Sequence, residues 1–182
     1  MLFFSSDFHF SHFRIIEYCN RPFKSIAEMN DTIINNFNSV IEPEDTLYHL
    51  GDFCLGNKYE YQVHLLSRLN FKKIMIVGNH DNKKNLKRMA ESGIIESFHN
   101  TLGIEIDGQY IWMSHHPNRT WHFENVDISP HDPKTVWKLH GHLHTKDKRD
   151  LYEHIGMWTY NEYGTVEVEE ESVLDDAVIG ED

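Results

Sequence analysis

The stretch "KKIMIVGNHD", residues 72–81, changes character at Gly78. Its apolar run Ile74–Val77 reads as a buried strand, and Gly78-Asn79-His80-Asp81 reads as the polar loop into which that strand ends. Four other segments repeat the design: "LFFSSDFHF" (2–10), "DTLYHLGDF" (45–53), "IEIDGQYIWMSHHP" (104–117) and "TVWKLHGHLHT" (135–145). Each runs from a strand pattern straight into Asp, Asn or His.

Helical patterns lie between the early strands. Ser25 and Glu28 have capping-box spacing, and Ile26, Met29, Ile33, Phe37 and Val40 follow at steps of three and four, so an amphipathic helix is expected over 26–40. "EYQVHLLSRL" (60–69) reads as a second helix, and a charged helix over 83–92 stops at Gly93. Asp107-Gly108 reads as the turn of a hairpin. "HIGMW" (154–158) and "GTVEVE" (164–169) read as a last pair of strands, before an acidic tail over 169–182 expected to fray. Strands and helices alternate early and strands dominate late, which predicts an α/β fold with two packed sheets. With no internal repeat or linker composition, residues 1–182 read as one domain.

Composition narrows the function. The chain has 182 residues, 40% hydrophobic and 13% aromatic, enough to bury a core. No run of about twenty apolar residues occurs, and "MLFFSSDFHF" lacks the basic region and cleavage site of a signal peptide, so the expectation is a cytoplasmic protein with no membrane partner. Cys19 and Cys54 have no CxxC spacing, which fits a reducing compartment and disfavours a thiolate zinc site. A net charge of −12 disfavours long nucleic acid. The 14 histidines point instead to metal binding or acid–base chemistry near neutral pH.

The polar strand ends present Asp7 and His9, Asp52, Asn79 and His80, His115 and His116, and His142 and His144. In an α/β sheet ligands collect at the carboxyl ends of strands, and residues two apart in an extended segment project to one side, so Asp7/His9 and His142/His144 can each reach toward one place. Gly51, Gly78 and Gly141 stand beside them, where a missing Cβ permits close approach. Carboxylates and imidazoles without thiolate suit manganese, zinc, iron or nickel, and one carboxylate such as Asp52 can bridge two ions.

"DFH", "GD", "GNHD", a histidine after a strand and "GHLH" occur in the order that characterises the calcineurin-like metallophosphoesterase superfamily, and the opening "SSDFHFSHFRIIEYCNRPF" is similar to a compact group of prokaryotic and phage phosphoesterases. The resemblance spans Asp7 to His144 and implies a four-layer sandwich, two mixed β-sheets face to face with helices outside. It implies one divalent ion on Asp7, His9, Asp52 and His144 and a second on Asp52, Asn79, His115 and His142, with manganese the leading candidate and zinc, iron, nickel or magnesium as alternatives. It makes His80 the catalytic residue that holds no metal. In the doublet, His115 directly ends the strand and is preferred as ligand, which leaves His116 to face substrate.

His12 and Arg119 are further candidates for substrate contact, and Arg14, His49 and His122 lie near the same motifs. The Ser/Thr protein phosphatases of the superfamily carry an arginine in "GDxVDRG" and a "GNHE", whereas this chain has "GDFCLG" and "GNHD". The expected activity is therefore hydrolysis of a small phosphodiester or nucleotide. A binding scaffold without catalysis and a nuclease of the same superfamily are the alternatives. The oligomeric state is not legible.

Overall fold

The computed structural model describes residues 1–56, 58–117, 136–144 and 157–159. Strand β1 (Leu2–Ser5) pairs in parallel with β2 (Thr46–His49), β2 with β3 (Lys72–Ile76), and β3 with β4 (Ser97–His99), giving the order β1-β2-β3-β4. The crossovers carry α1 (Phe13–Tyr18) and α2 (Ile26–Val40), then α3 (Tyr59–Ser67), then α4 (Lys83–Glu91). Parallel neighbours need such connections, because a strand must return to the same edge before the next one starts.

The second sheet is mixed, in the order β5 (Thr101–Ile106), β6 (Gln109–Ser114), β7 (Val136–His140), β8 (Met157–Thr159). Its β5–β6 hairpin turns on Asp107 at φ 49° and Gly108 at φ 79°, the left-handed pair that a two-residue hairpin loop requires. β6 and β7 are parallel, and β7 and β8 antiparallel.

Alternation along the strands builds two cores. Phe3, Leu47 and Met75 face the helices and pack with Met29, Ile33, Phe37, Leu65, Leu66, Leu86 and Met89. The residues between them face the other way: Leu2, Phe4, Tyr48, Ile74 and Ile76 meet Leu102, Ile104, Ile111, Met113 and Leu139 of the second sheet. Among the described residues the layers are thus helix, sheet, sheet. Replacing Phe37, fully buried at the centre of the helix-side core, by Ala would cost about 3–5 kcal/mol in lost transfer energy and cavity.

The helix expected over 26–40 runs from Ile26 to Val40, and Ser25 Oγ accepts from Glu28 N–H while Glu28 Oε2 accepts from Lys24 N–H. Four features differ from the sequence reading. The first sheet is all parallel among the described residues. Helix α1 follows directly on the polar segment after β1, because Ile15 finds a place in the helix-side core. β4 is only three residues long and carries no apolar alternation that would reveal it. No helix covers the outer face of the second sheet among the described residues. The pair "GTVEVE" and the acidic tail lie outside the described residues, and of "HIGMW" only Met157 and Trp158 fall within them. No described helix is long and apolar enough to cross a membrane.

Candidate metal centre

Five strand ends meet at one edge of the sheet pair. Asp7 and His9 follow β1, Asp52 follows β2, Asn79 and His80 follow β3, His115 follows β6, and His142 and His144 follow β7. The loops are held together by backbone: Asp7 N–H donates to Gly51 O, His9 N–H to Asp52 O, and Gly141 N–H to His115 O. Asp7, His9, Asp52 and His142 all take left-handed φ values, 57°, 50°, 59° and 78°. Non-glycine residues occupy that region at a cost of about 1–3 kcal/mol each, and such costs gather at functional sites, where surrounding contacts over-determine the backbone.

Two glycines make the approach of the loops feasible. A Cβ on Gly78 would collide with the Asp52 carboxylate and backbone, and one on Gly141 would collide with Asp7 Oδ2 and lie 2.8 Å from Ser6 Cβ. Either substitution forces a carboxylate out of the centre.

The side chains form two adjoining groups. In the first, His144 Nε2 lies 3.2 Å and His9 Nε2 3.5 Å from Asp7 Oδ1, the two Nε2 atoms are 3.0 Å apart, and Asp52 Oδ2 is 3.9 Å from His9 Nε2. In the second, His115 Nε2 lies 3.4 Å from Asp52 Oδ2 and 3.0 Å from Asn79 Oδ1, and the His115 and His142 rings are 5.0 Å apart. Asp52 faces both groups. Asp7, His9 and His144 form one set with donor atoms mutually within 4.8 Å, as do Asp7, Asp52 and His115, and also His115, His116 and His142.

The arrangement suits cations. Asp7 Oδ1 is buried and makes no hydrogen bond, which is costly for a carboxylate oxygen unless a cation meets it. His115 Nδ1 is 2.9 Å from Leu50 O, a contact that requires the proton on Nδ1 and leaves the Nε2 lone pair aimed at two oxygen acceptors. Lone pairs converging on oxygens repel one another until a proton or a metal enters. The residues present therefore fit divalent ions of the nitrogen- and oxygen-loving kind.

Charge is strongly coupled here. Burial opposes ionisation of Asp7, yet the His144 and His9 rings beside it hold its carboxyl well below the usual range. Burial likewise opposes the charged forms of Asp52 and His115, yet their contact lowers the pKa of Asp52 and raises that of His115. His144 resists protonation through burial, but Asp7 beside it pushes its pKa up to about 10. Without metal, the carboxylates favour protons on His115 and His144.

His80 differs from these. Its backbone N–H donates to Asp52 Oδ1 at 2.8 Å, its Nε2 is 3.9 Å from Asp52 Oδ2, and its side chain is 38% exposed. It stands over the centre with one face open. His12 adjoins it: His12 Nδ1 is 3.4 Å from His9 Nδ1, and the His12 and His80 rings are 5.8 Å apart. His116 is exposed and lies 4.3 Å, ring to ring, from His142. Arg119 and His122 lie outside the described residues. Arg14 is exposed. His49 is buried against Phe8 and Phe53, and its Nδ1 accepts from Gly51 N–H at 3.3 Å.

Sequence reasoning passes over Asp81. Its Oδ2 accepts from Asp52 N–H and Gly78 N–H, both at 2.8 Å, and its Oδ1 from Phe53 N–H at 3.1 Å. One carboxylate thus staples the Asp52 loop to the Gly78 loop. Burial raises its pKa to about 6 against the pull of those amides. The one signal in the sequence is its place at the end of "GNHD".

Comparison with known proteins gives the family. Residues 2–177 match the family model described as calcineurin-like phosphoesterase, so the chain belongs to the calcineurin-like phosphoesterase family. It is 36% identical over 140 residues to the uncharacterised protein MJ1445 of Methanocaldococcus jannaschii, a match that covers 76% of this chain and 66% of that protein's length. It is 28% identical over 160 residues to the Gene 66 protein of Mycobacterium phage L5, covering 78% and 76% of the two chains. The crystal structure of AQ665 from Aquifex aeolicus, a protein of unknown function, superposes with a TM-score of 0.59 at 28% identity over 81% of each chain.

Proposed function

We propose that the protein is a metal-dependent phosphodiesterase that works with two divalent ions, manganese foremost, on a small phosphodiester or nucleotide. The observation that carries this is the convergence of two buried carboxylates, Asp7 and Asp52, with the Nε2 atoms of His9, His115 and His144 at 3.2–3.9 Å. Asp7, His9, Asp52 and His144 would hold one ion, and Asp52, Asn79, His115 and His142 the other. When bound, the ions would supply an activated water and neutralise the phosphate for in-line attack on phosphorus.

The chain's own part follows from placement. His80, open on one face, delivers a proton to the departing ester oxygen, and its backbone N–H holds Asp52 in orientation. His12 and His116 stand on either flank and orient the ester, a role the sequence also suggests for Arg119. Small substrates are favoured over long nucleic acid by the net charge of −12. A cytoplasmic location is supported by the unpaired thiols of Cys19 and Cys54.

The test is reconstitution of chelated protein with manganese, zinc, nickel or magnesium, assayed on chromogenic phosphate mono- and diesters. Diester hydrolysis restored by metal supports the proposal. Two ions bound with no hydrolysis of either ester class would replace it with a binding scaffold, and monoester activity alone would replace the diesterase by a phosphatase.

A further inference from the structure

Helix α1 ends in a way that places one residue beneath the centre. Asn20 takes φ 53°, its N–H donates to Glu17 O at 3.4 Å, and Arg21 N–H reaches back to Ile16 O at 2.9 Å. That pair of bonds is the Schellman closure, in which a left-handed residue after the helix lets the next amide bond the carbonyl five residues earlier. Asparagine is the best substitute for glycine there, and Pro22 forbids any continuation of the helix. The chain therefore reverses sharply, and Arg21 is turned toward β1.

Arg21 is buried, at 8% exposure, and its guanidinium bonds lie in the interior. Nη2 donates to Asp7 O at 2.8 Å, Nη1 donates to Phe8 O at 2.9 Å, and Nη1 also touches Met29 Sδ of α2 at 3.3 Å. The two carbonyls belong to consecutive residues of the loop in which Asp7 and His9 hold φ values of 57° and 50°. A planar fork matches two neighbouring carbonyls, whereas an ammonium on a flexible stem cannot hold both in one geometry.

We propose that Arg21 is a positioning residue for the ion site of Asp7, His9 and His144: by gripping the Asp7 and Phe8 carbonyls it fixes the left-handed backbone that aims both ligands. This rests on the two-ion reading above. Asp81 grips the other loop in the opposite sense, accepting from amides where Arg21 donates to carbonyls. The carbonyls that Arg21 grips belong to the loop after β1, which carries the Asp7 and His9 side chains, whereas Asn79 and His115 stand on the loops after β3 and β6 and His142 meets this loop only through its backbone N–H on Asp7 Oδ2, so its influence falls chiefly on one site.

The experiment titrates chelated full-length protein with Mn²⁺ by calorimetry, comparing wild type with Arg21→Lys, Arg21→Met, Asn20→Gly and Asn20→Val. Arg21→Lys is expected to weaken one of two binding constants by about 10–100-fold and leave the other within about threefold, the usual reach of residues that orient ligands. Asn20→Gly should bind both ions normally, and Asn20→Val, whose branched Cβ resists the left-handed region, should copy the arginine defect. A purely structural arginine would lower the thermal midpoint and leave both constants intact, and that result overturns the proposal. Equal weakening of both sites also overturns it. Should Arg21→Met not fold, Arg21→Lys decides. Wild type that takes up fewer than two ions would sink the two-ion reading itself, an outcome separate from two ions bound equally well by wild type and Arg21→Lys.

Discussion

Asp7 Oδ2 accepts a hydrogen bond from the backbone N–H of His142 at 3.0 Å, which ties the end of β1 in one sheet to the end of β7 in the other. A candidate metal ligand is thus also a clasp between layers. The two roles separate by substitution. Asp7→Asn keeps an oxygen for the His142 amide and removes the charge, so it should fold and lose metal affinity. Asp7→Ala also takes the acceptor from the part-buried His142 amide, and in chelator it should be less stable than Asp7→Asn by about 1 kcal/mol. Denaturant unfolding of the two variants checks this, and equal stability would show that the clasp has no weight.

His80 should act without holding metal. His80→Ala is expected to keep near-normal manganese content while turnover falls by roughly two to four orders of magnitude, the range for a lost general acid. The defect should shrink for an activated aryl leaving group, which departs without needing a proton. Metal analysis beside turnover on activated and unactivated diesters reads both. Loss of metal in this variant would make His80 a ligand instead.

Metal binding should release protons at neutral pH. With Asp7 beside it, His144 has a pKa of about 10 and is charged in the metal-free protein, and a ligand must shed that proton to bind a cation. Calorimetric titration with Mn²⁺ at pH 7 in buffers of different ionisation enthalpy should give heats that scale with the buffer, corresponding to about one proton or more. Heats independent of buffer would contradict the charged state of His144. His144→Ala should release fewer protons and lose one ion, whereas Asp52→Asn should weaken both.

The metal-free protein should lose stability in acid through His49. Burial between Phe8 and Phe53 pushes its pKa down to about 3 from 6.5. Between those values the unfolded chain binds a proton that the folded chain refuses, so this contribution is whole above about pH 6.5 and is lost as pH falls toward 3. Each tenfold difference in proton affinity between the two states is worth about 1.4 kcal/mol, so the loss is on the order of a few kcal/mol. His49→Gln should flatten the stability profile over that window, which denaturation between pH 7 and pH 4 would reveal. An unchanged slope would show that His49 is not the group responsible.

The strand ends were legible because a parallel sheet buries its strands and exposes only their carboxyl ends, so the change from apolar to polar at Asp7, Asp52 and Asn79 marks position directly. The capping box at Ser25 and the Asp107-Gly108 hairpin were legible for a similar reason, since each is a local contact with a local pattern. Arg21 and Asp81 were not. They act on backbone groups 14 and 29 positions away, and a backbone partner leaves no mark in the sequence. Left-handed φ at Asp7, His9, Asp52 and His142 was equally hidden, because sequence suggests glycine for such positions and the surrounding bonds here impose it on ligands. His49 shows the reverse. It adjoins "GD" along the chain, but its ring is buried against Phe8 and Phe53.

The order of the ligands along the chain has a consequence for how the molecule is made. Asp7, His9, Asp52 and Asn79 belong to the first sheet, whose parallel strands and helices close their own core before residue 100, while His115, His142 and His144 arrive with the second sheet. A nascent chain would therefore carry the first half of the ligand set before the strands that bring the other half have been made. Cations held on ligands from both sheets would act as a rivet between the early and late halves, and a chain cut short before His142 would lack the ligands of the late half.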